Sequence, residues 1–240
     1  MITVELQDEL KRTITWKTYP AETGLCLSEV HIFKIPVQQY DTGTIHYQNV
    51  LSDDEISKSS RFLKQLDAKH YIIGRYFLRV ILSDVLNIAP AELKFLYSNK
   101  KKPYLHGLEF NISHSGDFVV IAINSLPVGI DVEYVIDDFD YRSLSEIFNG
   151  EENAKIHGIK DFYKFWTRKE AILKAVGEGL VDQLREIDSV SSLVFRYGSN
   201  LRLTSSLLDQ RHIMSTAIDA SISTYNYWTF KSLYQRSGIS

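Results

Sequence analysis

Two carboxylates stand two residues apart, Asp131 and Glu133, in VGIDVEYV (128–135). That stretch alternates apolar and polar positions as a β-strand does. Val128, Ile130 and Val132 would face one way, and Gly129, Asp131 and Glu133 the other. Same-face neighbours in a strand lie roughly 6–7 Å apart, so the two negative charges repel unless a cation neutralises them or water surrounds both. A hard divalent cation such as Mg²⁺ takes oxygen ligands from a few carboxylates, often together with substrate phosphates. Alone, the pair suits a solvated strand face better. The apolar runs FVVIAI and VGI argue for a covered sheet instead, with Gly129 leaving room for a ligand to approach.

Three further groups could do chemistry. In FWTRKEAILKAVGEGL (165–180), Trp166, Glu170 and Lys174 form one row of a helix. Glu followed by Lys four positions on is an ordinary surface pair, but Phe162, Phe165 and Trp166 place this one at the border of a core. Ser113, His114 and Ser115 stand where a strand gives way to a turn. A G-x-S-x-G elbow is absent there, which excludes a serine hydrolase of that type. The seven histidines show no H-x-x-x-H pair, so they make no zinc helix. A hydroxyl, an imidazole and loop amides together suit an anion such as phosphate; an ordinary turn is the plainer alternative. Finally, Lys100, Lys101 and Lys102 precede Pro103 in NKKKPYL. This is either a solvated loop or a phosphate grip, with Tyr97 or Tyr104 able to lie against a base.

These residues need elements to position them. VHIFKIPV (30–37) reads as a first strand ended by Pro36. Ser52 and Glu55 make a capping box at a helix start. Helical periodicity continues to about Ile88, as two helices, with Phe77, Leu78, Ile81, Leu82, Val85 and Leu86 as the apolar stripe. LKFLYS (93–98) reads as a strand. FNIS (110–113), FVVIAIN (118–124) and VGIDVEYV follow as three more, with SGD and SLP as the turns between them. Residues 161–176 read as a helix closed by Gly177. The alternating tail beyond about residue 187 reads as strands. The order of strands, long helix, strands, helices and strands is that of an α+β protein in two similar halves. We take 1–28 as an N-terminal extension, 29–125 as the first half and 126–240 as the second.

Composition narrows the class. The 240 residues are 44% hydrophobic and 24% charged, as in a globular chain with a substantial core. A net charge of −3 provides no global field for nucleic acid. The single cysteine, Cys26, precludes an intramolecular disulfide and reads as a small buried hydrophobe. The polar N-terminus and the shortness of FVVIAI lead us to expect a soluble cytoplasmic protein with no membrane partner.

Taken together, NISHS, GIDVE and FWTRKEAILKAVGEGL, in this order, resemble the Sfp-type 4'-phosphopantetheinyl transferases, whose signature is G-[IV]-D-x-E followed by W-x-x-K-E-A-x-x-K. DAKHYIIGR (67–75) and KKPYL (101–105) are similar to that family's first-half helix and Lys-Pro loop. The likeness runs over about residues 30–190, with a layout nearest the cyanobacterial branch. The resemblance implies two pseudo-symmetric α/β halves with coenzyme A between them. It implies transfer of the phosphopantetheine arm to a serine of an apo acyl, polyketide or peptidyl carrier protein, by a monomer, releasing 3',5'-ADP. Asp131, Glu133 and Glu170 would hold Mg²⁺, and Glu170 would serve as base. Lys174, Lys102, Lys58, Ser113 and His114 would contact the coenzyme, Lys174 also offsetting charge on the pyrophosphate. The chain departs from the pattern at Glu55, where some relatives carry a basic residue, and at Tyr71, where some carry threonine. Arg75 is the candidate to replace the lost phosphate contact. The alternative is a degenerate module that binds coenzyme A or a nucleotide without transferring.

Overall fold

A computed structural model describes residues 10–11, 13–20, 24–100, 102–179 and 184–231. It is mixed α+β, with two sheets each covered by one long helix. The first sheet contains β1 (Lys17–Thr18), β2 (Val30–Pro36), β5 (Glu109–Ser115), β6 (Phe118–Asn124) and β11 (Tyr225–Thr229), in the order β1-β11-β2-β6-β5. The second contains β7 (Val128–Tyr134), β8 (Leu193–Arg196), β9 (Ser199–Leu207) and β10 (His212–Asp219), in the order β7-β10-β9-β8. A two-residue ribbon pairs β3 (Leu96–Tyr97) with β4 (Pro103–Tyr104). The strand expected over 93–98 is therefore short, because its partner offers only two residues.

The sequence cues act locally as expected. Ser52 and Glu55 form a reciprocal capping box on α1 (Asp53–Ser59). Helix α2 (Gln65–Leu86) buries Phe77, Leu78, Ile81 and Leu82 against β2, β5 and β6, while Val85 and Leu86 pack at the edge of that core. Asn87, at φ 53°, closes the helix in the left-handed conformation that asparagine tolerates. Helix α3 (Gly150–Lys155) carries a second capping box, Asn149 with Glu152. Helix α4 (Ile159–Val176) lies on β7, β9 and β10 and ends at Gly177, φ 67°.

A separate apolar layer separates the sheets. Val30, Ile32, Val120 and Ala122 meet Val128, Ile130, Val132, Met214 and Ile218. The apolar face of β7 thus turns toward the first sheet, and Gly129, Asp131 and Glu133 turn toward α4. The space at Gly129 is not free for a ligand, contrary to the expectation above: a Cβ there would collide with the Ala171 carbonyl and the Ala175 amide of α4. Glycine lets the helix backbone press onto the strand.

Strand β11 sits between β1 and β2, parallel to both. The chain therefore returns from the second sheet to complete the first. No helix among the described residues is long and apolar enough to cross a membrane.

Candidate active site

Strands β5 and β7 are the terminal strands of their sheets and meet side by side, without a backbone ladder. Side chains of β5 bridge them. Asn111 Oδ1 accepts from the Ile130 amide (3.2 Å), Ser113 Oγ from the Val132 amide (3.3 Å) and Ser115 Oγ from the Tyr134 amide (3.0 Å). The other edge of β7 pairs antiparallel with β10. Buried backbone N–H groups need acceptors, and a run of Asn, Ser and Ser at every second residue supplies them across the seam.

The charged residues gather on this seam. Asp131 is 3% exposed. Its Oδ1 accepts from Ser113 Oγ (2.8 Å) and from Lys174 Nζ (2.6 Å), and Lys174 also donates to Ser113 Oγ (3.1 Å). Ser115 Oγ donates to Glu133 Oε2 (2.8 Å). Glu170, one helical turn before Lys174, completes the group from α4. Helical spacing and strand alternation thus bring Asp131, Glu133, Glu170, Lys174 and Ser113 together.

The electrostatics are unbalanced. Burial raises the Asp131 pKa, while Lys174 and Ser113 oppose the rise. Burial and then the charge of Asp131 push Glu133 up to about 7, against its hydrogen bond from Ser115. Burial and Asp131 likewise raise Glu170, with Lys174 opposing. Three carboxylates share one lysine. Asp131 Oδ2 and Glu170 Oε1 are buried and find no hydrogen-bond partner among the described residues. Buried orphan oxygens of this kind are expensive, and a hard cation would satisfy them. No three His, Cys, Asp or Glu among the described residues form a ready metal cage. The orphaned carboxylate oxygens suit a hard cation that takes the rest of its shell from phosphate and water oxygens, as Mg²⁺ does.

A cavity of about 290 Å³ opens on this cluster, lined by Glu170, Lys174, Asn111, Lys100, Lys102 and the glycines after α4. Lys102 bonds Glu109 (3.2 Å) and the Ala175 carbonyl (3.3 Å), its stem lying close over Gly177. His114, exposed beside the cluster, stacks on His70 with ring centres 5.0 Å apart. Lost solvation at the ring, then His70 and Lys174, hold its pKa down.

Lys58 and Arg75 both lie outside the lining of this cavity. Lys58 is exposed on α1 with its ammonium 5.0 Å above the Tyr71 ring, away from the cavity lining. Arg75 is engaged within the fold. It is 8% exposed, donates to Glu55 Oε1 (2.5 Å) and packs over Phe95. Glu55 is thus the counter-charge that consumes it. Sequence reading missed the bridging role of Asn111 and Ser115. The signal was present as hydrogen-bonding side chains at every second position of NISHS.

Comparison with known proteins identifies relatives of the chain. Residues 41–126 match the model of the 4'-phosphopantetheinyl transferase N-terminal domain, and residues 127–216 that of the 4'-phosphopantetheinyl transferase superfamily. The chain is 34% identical to the 4'-phosphopantetheinyl transferase HetI of a Nostoc species, over 72% of this chain and 79% of that protein. It is 33% identical to the 4'-phosphopantetheinyl transferase gsp of Aneurinibacillus migulanus, over 56% of this chain and 61% of that one. The 4'-phosphopantetheinyl transferase of Bacillus subtilis is also 33% identical, over 54% and 62%. The matches to these last two thus span less than two thirds of their length.

Proposed function

The chain belongs to the 4'-phosphopantetheinyl transferase superfamily, and on that footing we propose that it moves the 4'-phosphopantetheine arm of coenzyme A onto a serine of an apo carrier protein. The observation that carries this reading is the seam cluster itself. Asp131 bonds Lys174 directly, Glu133 and Glu170 crowd the same charge, and Glu170 and Lys174 line a cavity that Lys100 and Lys102 also line. Such a site is built for a polyanion accompanied by a cation.

The carrier serine Oγ forms a bond to the β-phosphorus, the pyrophosphate P–O bond breaks, and 3',5'-ADP leaves. Glu170, with its raised pKa, takes the serine proton. Lys174 offsets the charge that builds on the leaving phosphate. Lys102, His114 and the more distant Lys58 contact the nucleotide phosphates. Mg²⁺, held by Asp131, Glu133 and Glu170, would supply charge neutralisation at the pyrophosphate. We further propose a cytoplasmic monomer, on the composition and the two-sheet fold; size-exclusion chromatography with light scattering checks the monomer.

The test is intact-mass spectrometry of apo acyl and peptidyl carrier proteins incubated with the enzyme, coenzyme A and Mg²⁺. A gain of about 340 Da, the mass of the covalently added arm, that EDTA abolishes is expected. No gain on any carrier, with coenzyme A bound, would make the protein a binding module instead.

A further inference from the structure

The hydrogen-bond count at Ser113 assigns it a task other than touching coenzyme A. A serine hydroxyl has one proton to donate and two lone pairs with which to accept. Ser113 donates to Asp131 Oδ1 and accepts from the Val132 amide and from Lys174. Its capacity is full. Ser115 repeats the pattern one step along β5, accepting from the Tyr134 amide and donating to Glu133 Oε2.

We propose that Ser113 and Ser115 are positioning residues, which join the two sheets and aim Asp131 and Glu133 with the same two hydroxyls. The logic is forced by the seam. Each hydroxyl that accepts a β7 amide has its own proton left over, and each spends it on the carboxylate of the residue before that amide. One oxygen of each carboxylate is thereby pinned. Asp131 Oδ2 is left buried and unpartnered among the described residues, turned to whatever cation the site takes. Asn111 extends the bridge to the Ile130 amide but carries no hydroxyl, and its opposite number on β7 is Gly129, which has no side chain to aim. The register of the two sheets and the geometry of the carboxylates are one property. The inference rests on the reading of Asp131 and Glu133 as metal ligands.

Two measurements on Ser113→Ala, Ser115→Ala and the two serine-to-threonine variants test it, after circular dichroism confirms folding. The first is residue-resolved amide hydrogen exchange on protein without metal or coenzyme. The Val132 amide should exchange at least about tenfold faster in Ser113→Ala, and the Tyr134 amide likewise in Ser115→Ala, since about 1.4 kcal/mol of lost protection is a factor of ten. The amides of β7 bonded to β10 should keep their wild-type rates. The second is Mn²⁺ binding by electron paramagnetic resonance in the presence of coenzyme A. Each alanine variant should weaken Mn²⁺ by about 10–100-fold, the usual cost of losing a group that orients a ligand. Threonine, which keeps the hydroxyl, should restore most of it, and coenzyme A affinity in EDTA should not change. Unchanged Mn²⁺ affinity, or a Ser113→Ala loss confined to coenzyme A binding in EDTA, would overturn the proposal. Wild-type protein that takes up no Mn²⁺ with coenzyme A would overturn the metal reading and the aiming role with it, while the exchange rates still decide whether the bridge exists.

Discussion

Glu55 and the seam carboxylates are both buried acids beside cations, yet their charge is handled in opposite ways. Glu55 is 4% exposed and receives Arg75 Nε (2.5 Å), Arg79 Nε (2.6 Å) and the Ser52 amide (3.0 Å). Burial pushes its pKa up, but Arg75, the Ser52 amide and Arg79 more than reverse that, and the net shift is downward. One carboxylate has two guanidinium groups. In the seam, three carboxylates have one ammonium, and their pKa values rise. The first cluster is complete within the chain and binds α1, α2 and the segment at Pro90–Leu93 together. The second is complete only when something positive arrives. An acid whose partners outnumber it is structural, whereas acids that outnumber their partners mark a site.

Removing charge should separate the two most sharply. Asp131→Ala and Glu170→Ala should each lower the transfer rate by about 10²–10⁴-fold, the range for losing a positioned acid–base group. Without metal, the thermal midpoint of Glu170→Ala should hold or rise, since repulsion is relieved, whereas Asp131→Ala also strips Lys174 and Ser113 of their acceptor and should lower it. Activity near wild type in either variant, read by carrier mass gain, would break the contrast. Glu55→Gln should do the reverse. It leaves two buried arginines without their counter-charge, at a cost of about 3–5 kcal/mol in urea unfolding, with the rate per folded molecule little changed.

Acid titration should sharpen the comparison, because the signs are opposite. The folded pKa of Glu55 lies below its unfolded value, so its contribution is full above about pH 4.5 and is lost as pH falls through the depressed value. Glu133 is raised from 4.5 to about 7, so its contribution is full below pH 4.5 and is lost as pH climbs toward 7. Metal-free protein should therefore lose stability on the order of 1–3 kcal/mol between those values, and Glu133→Gln should flatten that limb. Urea midpoints across pH 4.5–7.5 with EDTA measure it. The smallest effect is expected at Lys58, which is exposed and remote from the seam. Lys58→Ala should raise the KM for coenzyme A by up to about tenfold, one lost phosphate contact of about 1.4 kcal/mol, and leave kcat unchanged. A pure kcat loss would contradict its placement.

Much of this was legible where the cause is local. Alternation announced β7, the Ser52–Glu55 box announced α1, and the row Glu170–Lys174 with Gly177 announced α4 and its end. Strand and helix periods paired Asp131 with Glu133 and Glu170 with Lys174; that the two pairs and Ser113 form one cluster came from the resemblance. Features set by distant partners were hidden. The SLP turn looks like a hairpin, yet it carries the chain from β6 in one sheet to β7 in the other. The opening at Gly129 is filled by the backbone of a helix more than forty residues later in the chain. Arg75 looked available until Glu55, twenty positions earlier, was seen to hold it. Local propensity carries no information about which edge will meet which.

The position of β11 has a consequence for how the protein is made. Residues 225–229 fill the slot between β1 and β2, so most of the chain must be synthesised before β2 can acquire its second neighbour. While the ribosome is still adding the second half, β2 is exposed along one edge, and closing that gap joins segments nearly two hundred residues apart. Pairing over such a separation is slow, and open strand edges invite association. The nascent first half should therefore depend on chaperone protection until the end of translation, and truncation before residue 225 should yield aggregate rather than a smaller folded enzyme.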